Sequence, residues 1–127
     1  MKIQVFTLCE YVQVQNGKST IIGTFNRIAA PAYPFVVPDM YLVLKLAFDQ
    51  DAEETVSISL REKSTGTTII STGNQTMKIV VQNGRQTLND VVYRMNNLVI
   101  PNPGEYEVVF KYGIEEHVSP LYVDLDK

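Results

Sequence analysis

The chain has 127 residues, of which 45% are apolar and 20% charged, an ordinary balance for one folded domain and not for a disordered segment. Fourteen acidic side chains against eleven basic ones give a formal charge of −3, and the basic residues are scattered, so no field exists to attract nucleic acid. One cysteine excludes an internal disulfide, one histidine excludes a multi-histidine metal site, and no apolar run reaches the roughly 18 residues that a membrane helix needs.

Apolar and polar residues alternate with period two along most of the chain, and no helical period persists for ten residues. The first ten residues alternate too strongly for a signal-peptide core, so a cytoplasmic protein is expected. Segments 2–15 and 18–29 flank Asn16-Gly17, a dipeptide suited to a two-residue type I′ turn. That turn predicts a hairpin in which opposed residue numbers add to 33. Leu8 then faces Phe25 and Val12 faces Ile21, all on one side. Glu10 falls opposite Gly23 on the same side, where a carboxylate should not be buried, so a bulge or bend is expected there.

Residues 31–38 contain three prolines and two aromatics. They read as a crossover between sheets, with Tyr33-Pro34 a candidate cis peptide. Tyr33 and Phe35 either plug one end of the core or form an exposed interaction surface. Residues 40–48 form the clearest strand, with Met40, Leu42, Leu44, Leu46 and Phe48 on one face. Val56, Ile58 and Leu60 repeat the pattern beyond an acidic tip at 49–54. A turn at Ser64-Thr65-Gly66 leads to a strand at 67–72, which Gly73-Asn74 breaks. Met77, Ile79 and Val81 then alternate up to Asn83-Gly84, read as a second hairpin turn, with a return strand over 86–95. The last hairpin carries Tyr106, Val108, Phe110 and Tyr112 on its first strand and Leu121, Val123 and Leu125 on its second. Pro120 lacks a donor and marks the final strand as a sheet edge.

About eight or nine short strands at this spacing describe an all-β antiparallel sandwich, a single domain over residues 1–127 without a disulfide. Pro103-Gly104-Glu105-Tyr106-Glu107-Val108 resembles the tyrosine corner of immunoglobulin-like domains, with Val108 where antibody domains have the second disulfide cysteine. A wider resemblance rests on Leu8-Cys9-Glu10-Tyr11-Val12, Asn16-Gly17, Ile22-Gly23-Thr24-Phe25, the Pro-rich crossover and the late Pro-Gly-Glu-Tyr turn. In these the chain resembles a family of small uncharacterised prokaryotic and phage proteins, a domain of unknown function. The resemblance implies the sandwich fold and a cytoplasmic setting, and no site residues.

Chemistry is sparse. His117 needs partners to act as a base or metal ligand, and reads as an exposed hairpin residue. Cys9 lies on a strand with no local cation or helix N-terminus to lower its pKa, and reads as a structural thiol. The acidic tip fails as an EF-hand, because its sixth residue is Glu54 and its twelfth Leu60. No catalytic residues, metal site or cofactor is therefore assigned. The expected function is a non-enzymatic protein–protein interaction or assembly module, binding a protein partner or a second copy of itself and neither nucleic acid nor membrane. The alternative is a small-ligand or carbohydrate-binding domain, to which seven tyrosines offer stacking faces but no tryptophan contributes.

Overall fold

A computed structural model describes residues 1–126. Ten strands follow one another: β1 Lys2–Gln15, β2 Lys18–Phe25, β3 Arg27–Ala30, β4 Phe35–Phe48, β5 Ala52–Glu62, β6 Thr68–Ser71, β7 Gln75–Ile79, β8 Thr87–Ile100, β9 Gly104–Tyr112 and β10 Glu115–Leu125. One sheet has the order β2-β1-β4-β8. The other has the order β3-β10-β9-β5-β6, with β7 also paired to β5. All ladders are antiparallel except β3 with β10. The inward rows Leu42, Leu44 and Leu46 of the first sheet and Leu60, Val108, Phe110 and Leu121 of the second close one core.

The Asn16-Gly17 turn has the two positive φ angles of type I′, 52° and 72°, and sets the expected register, with Leu8 opposite Phe25 and Val12 opposite Ile21. The four residues do not share a face, however. Leu8 and Phe25 join the main core, whereas Val12 and Ile21 pack with Cys9, Val43 and Tyr41 in a second cluster. Cys9 and Val43 alternate with the inward Leu8 and Leu42, which puts this cluster on the outer face of the sheet. The flip occurs at Glu10/Gly23, where pairing lapses, Gly23 adopts φ +68° and Glu10 stays exposed.

A matching flip crosses the other two strands. Val37 and Met40, three apart on β4, both enter the core, and so do Met95 and Leu98 on β8. Period-two alternation alone would send residues three apart to opposite faces. Pairing between β4 and β8 lapses at Pro38/Asn97, and Asn97 has φ 52°. The four-stranded sheet is thus creased along a line through Gly23, Glu10, Pro38 and Asn97. Pairing of β1 with β4 ends at Cys9/Tyr41, so the β1–β2 ribbon continues beyond the crease without β4.

Several expectations are corrected. There are ten strands, not eight or nine. The 18–29 run breaks at Asn26, and β3 crosses to the other sheet, pairing parallel with β10. The crossover is shorter than 31–38, because β4 begins at Phe35 and Pro38 sits where no ladder bond is made. Asn83 and Gly84 do make a tight turn with φ 54° and 63°, closed by the Arg85 N–H on Gln82 O at 3.0 Å. It joins two sheets instead of a hairpin, since β7 pairs with β5 and β8 with β4. The final strand is not an edge throughout, because β3 covers Tyr122–Leu125.

At the predicted corner the Tyr106 ring is fully buried and its hydroxyl donates to Asn102 O at 2.8 Å. This is the upstream main-chain contact that a tyrosine corner requires. No helix of the described residues is long and apolar enough to cross a membrane.

Candidate functional site

Strand β5 serves two partners at its free edge: β7 along Ala52–Val56 and β6 along Ser59–Arg61. Between them Thr72 takes over the pairing. Its Oγ1 accepts from the Ile58 N–H at 3.0 Å, and its own N–H donates to Ile58 O at 2.9 Å. The ladder along this edge is therefore interrupted at Thr72-Gly73-Asn74, between β6 and β7. A cleft of about 550 Å³ lies between this edge and β8.

Val56, Ile58 and Met77 line one wall of the cleft, Val91 and Tyr93 the other, and Phe110 also contributes. Polar contributions come from Ser57, Thr72, Gln75 and Thr76. Among the described residues no carboxylate, imidazole, thiol or cation lines it. Burial pushes the Tyr93 hydroxyl above the ordinary tyrosine range, so it stays protonated, a donor as well as an acceptor, at neutral pH.

Strand β8 runs along the cleft and is also the outermost strand of its sheet. It is 14 residues long, against 8 for β2 at the opposite edge and 4 or 5 for β3, β6 and β7. Its far side thus offers a long row of main-chain donors and acceptors beside an apolar hollow.

The outer faces of the two sheets differ. On the second sheet Arg61 bridges Glu107 at 3.0 Å and Glu116 at 2.9 Å, and Lys63 reaches Glu105 at 3.0 Å, a solvated ladder of charge. On the first sheet Leu88, Val92, Val36 and Val99 are exposed around the Cys9–Val12–Val43 cluster. Lys45 Nζ meets Asp90 Oδ1 on that face at 3.2 Å, with both side chains largely shielded. Asp90 Oδ1 is buried yet has no hydrogen-bond partner, so the ammonium neutralises it without satisfying it.

Tyr33 and Phe35 lie at an end of the core, not at the cleft. Both are half-buried against it, their rings meeting edge to face at 6.4 Å. The Tyr33 hydroxyl donates to Asp124 O at 2.6 Å, and the Tyr33-Pro34 peptide is cis. His117 lies 3.2 Å from Glu115, with its ring stacked on Phe110, and the described hydrogen bonds bring it no hydroxyl. Cys9 is fully buried, and that burial raises its thiol pKa. The acidic tip does not converge. Asp51 accepts the Val81 N–H at 2.8 Å, Asp49 meets Gln86 at 3.4 Å, and Glu54 lies against its own strand at Thr55.

The cleft and the β8 edge were not legible in the sequence. The Gly73-Asn74 break was, although the strand before it ends at Ser71 and not at Thr72. That the strands on either side of it would share one neighbour was not.

Fold and site together define the class: an all-β sandwich of two sheets whose longest edge strand borders an apolar side cleft. The chain belongs to a family of unknown function, DUF6941, whose family model matches residues 4–124. No curated protein matches the sequence. Among solved structures it is similar to part of a β-glucosidase from Listeria innocua in complex with glucose, at 10% identity and a TM-score of 0.50, covering 94% of this chain and 16% of that one. It is also similar to part of a β-glucosidase from Erythrobacter marinus, at 9% identity and a TM-score of 0.49, covering 78% of this chain and 14% of that one. The chain spans less than a fifth of either enzyme, and at such identity the likeness is one of fold alone.

Proposed function

We propose that the protein is a non-enzymatic interaction module that takes an extended protein segment along the free edge of β8, with an apolar side chain of that segment seated in the cleft. One observation carries this reading: the longest open edge of the molecule and its apolar cleft are the same place. An added strand gains main-chain hydrogen bonds, and a pocket for alternate side chains supplies selectivity. The absence of acid, base and thiol from the cleft lining supports a binding role over a catalytic one. The net negative charge speaks against nucleic acid as the partner. The tyrosine corner supports an immunoglobulin-like classification, the single free cysteine supports the cytoplasm, and the sequence resemblance supports a prokaryotic or phage source.

A second reading, a small-ligand or carbohydrate-binding domain, draws on the volume of the same cleft, which falls within the roughly 300–1,000 Å³ of ligand sites. It ranks lower because the few hydroxyl and amide groups are not matched by a broad aromatic platform.

The test is selection from a displayed library of random peptides, followed by amide-resonance mapping of the binders. Peptides with alternating apolar residues should bind with roughly micromolar affinity and shift residues 87–96 together with Met77. Failure to enrich any peptide, or shifts gathered away from β8, would remove the reading. A glycan array that finds a sugar shifting the same residues would favour the second one.

A further inference from the structure

We propose that a second copy of this chain occupies the β8 edge, the two β8 strands running antiparallel about a two-fold axis that passes between their Val92 residues. The proposal rests on the reading of β8 as the binding edge and names one occupant for it.

Exposed edges are ordinarily blunted by short strands, lysine, proline or a bulge. The β3, β6 and β7 edges are short, but β8 contains neither proline nor lysine. Its one irregularity is the left-handed Asn97, which leaves 87–96 as an uninterrupted ten-residue run. Such an edge, beside an apolar cleft and an apolar outer face, is built to be covered.

Symmetry restricts the register. A two-fold axis perpendicular to a continuous sheet keeps each side chain on its own face, so opposed residues must have the same parity. The central choices place Val91, Val92 or Tyr93 on the axis. With Val91 there, Asp90 opposes the partner's Val92, and Leu88 opposes the partner's Arg94. With Tyr93 there, Val92 opposes the partner's Arg94. With Val92 there, Asp90 opposes the partner's Arg94, and the symmetry repeats that contact on the other side.

The charges along β8 fit this register. Asp90 Oδ1 is the buried acceptor that Lys45 neutralises without a hydrogen bond. Arg94 is more than half exposed and uses Nε on Asp39 at 2.8 Å, so the terminal nitrogens of its fork remain as donors. Directly opposed side chains in an antiparallel pair lie roughly 5 Å apart at Cβ, within reach of an arginine. A row of alternating sign then crosses the interface: Asp39, Arg94, the partner's Asp90 and the partner's Lys45. Val92 meets the partner's Val92 on the outer face, and Val91 meets the partner's Tyr93 beside the clefts. The two apolar outer faces become one eight-stranded surface.

The test is solution mass at about 100 μM, a concentration that populates small interfaces. The wild type should have twice the 14.3 kDa of one chain. D90R sets two guanidinium groups against each other at both contacts, and R94D sets two carboxylates there, so each variant alone should dimerise about tenfold more weakly or worse. In an equimolar mixture of the two, the mixed pair sets an arginine against an aspartate at both contacts, so the mixture should recover the dimer. If D90R does not fold beside Lys45, K45E/D90R restores the intrachain pair with reversed sign and takes its place. V92K, at an exposed position, should also give a folded monomer. A wild type of single-chain mass, single variants that dimerise undiminished, or a mixture that stays monomeric would each overturn the proposal. If the wild type is monomeric but selected peptides still shift β8, self-pairing falls and the reading of the site survives. If neither occurs, both fall.

Discussion

Replacing Tyr106 with phenylalanine isolates the contact that pins the turn between β8 and β9. The ring is fully buried, and the substitution keeps its volume and apolar area, so the change reduces to one hydroxyl donating to Asn102 O at 2.8 Å. The net worth of such a bond is about 1–1.5 kcal/mol. Asn102 is exposed, so water can replace the lost donor, which keeps the cost below the ~3 kcal/mol of an orphaned buried acceptor. Unfolding entropy for 127 residues at about 2.1 cal/mol/K each is about 0.27 kcal/mol/K, so Tm should fall by about 4–6 °C. Scanning calorimetry gives that shift, and urea unfolding should show an unchanged m-value with a lower midpoint. A shift under about 1 °C would mean that the hydroxyl does not hold the corner; one beyond about 10 °C would mean that the ring itself has moved.

Gly23→Ala tests the crease. At φ +68° an added Cβ costs about 1–2 kcal/mol, and although it would approach the Glu10 carboxyl at 2.9 Å, that exposed side chain can swing aside. The unfolding free energy from urea titration should therefore fall by that amount with or without Glu10→Ala, and an unchanged value would contradict the positive φ. The double variant Tyr33→Ser/Phe35→Ser should lose about 3 kcal/mol or more, because both rings pack on the core. A protein of normal Tm that has lost self-association would instead make these rings an interface. Burial is the leading cause of raised tyrosine pKa at Tyr33, Tyr93, Tyr106 and Tyr112. A folded pKa above the unfolded value of about 10 leaves stability intact below that pH and removes it as pH rises through the folded values. Absorbance at 295 nm should thus show late tyrosinate appearing together with loss of circular dichroism; complete ionisation near pH 10 in a still-folded protein would refute this.

Much of the fold was legible because alternation and turn chemistry are local. The register of the first hairpin followed from Asn16-Gly17, and the inward row of β4 from five alternating apolar residues. What failed was non-local. The face of Val12 was misjudged because a single left-handed glycine, thirteen positions from Glu10, flips the pleat without changing the register. Asn83-Gly84 does turn the chain, but a turn does not say which sheet receives the next strand. Pro38 looked incompatible with a strand, and Asn97 opposite it supplies the lapse that makes it compatible. The site was the least legible part. It depends on β5 carrying two short partners and on β8 having only one neighbour, and neither fact has a signature within a single segment.

Residue-resolved amide exchange along β8 tests the central claim most directly. On one strand of an antiparallel pair, alternate residues direct their N–H groups to opposite sides. In dilute solution one parity of the amides between 87 and 96 should therefore be held by β4 and the other should exchange freely. On concentration, or on addition of a selected peptide, the free set alone should become protected. Fast exchange of that set under every condition, with protection arising at another edge, would contradict the account.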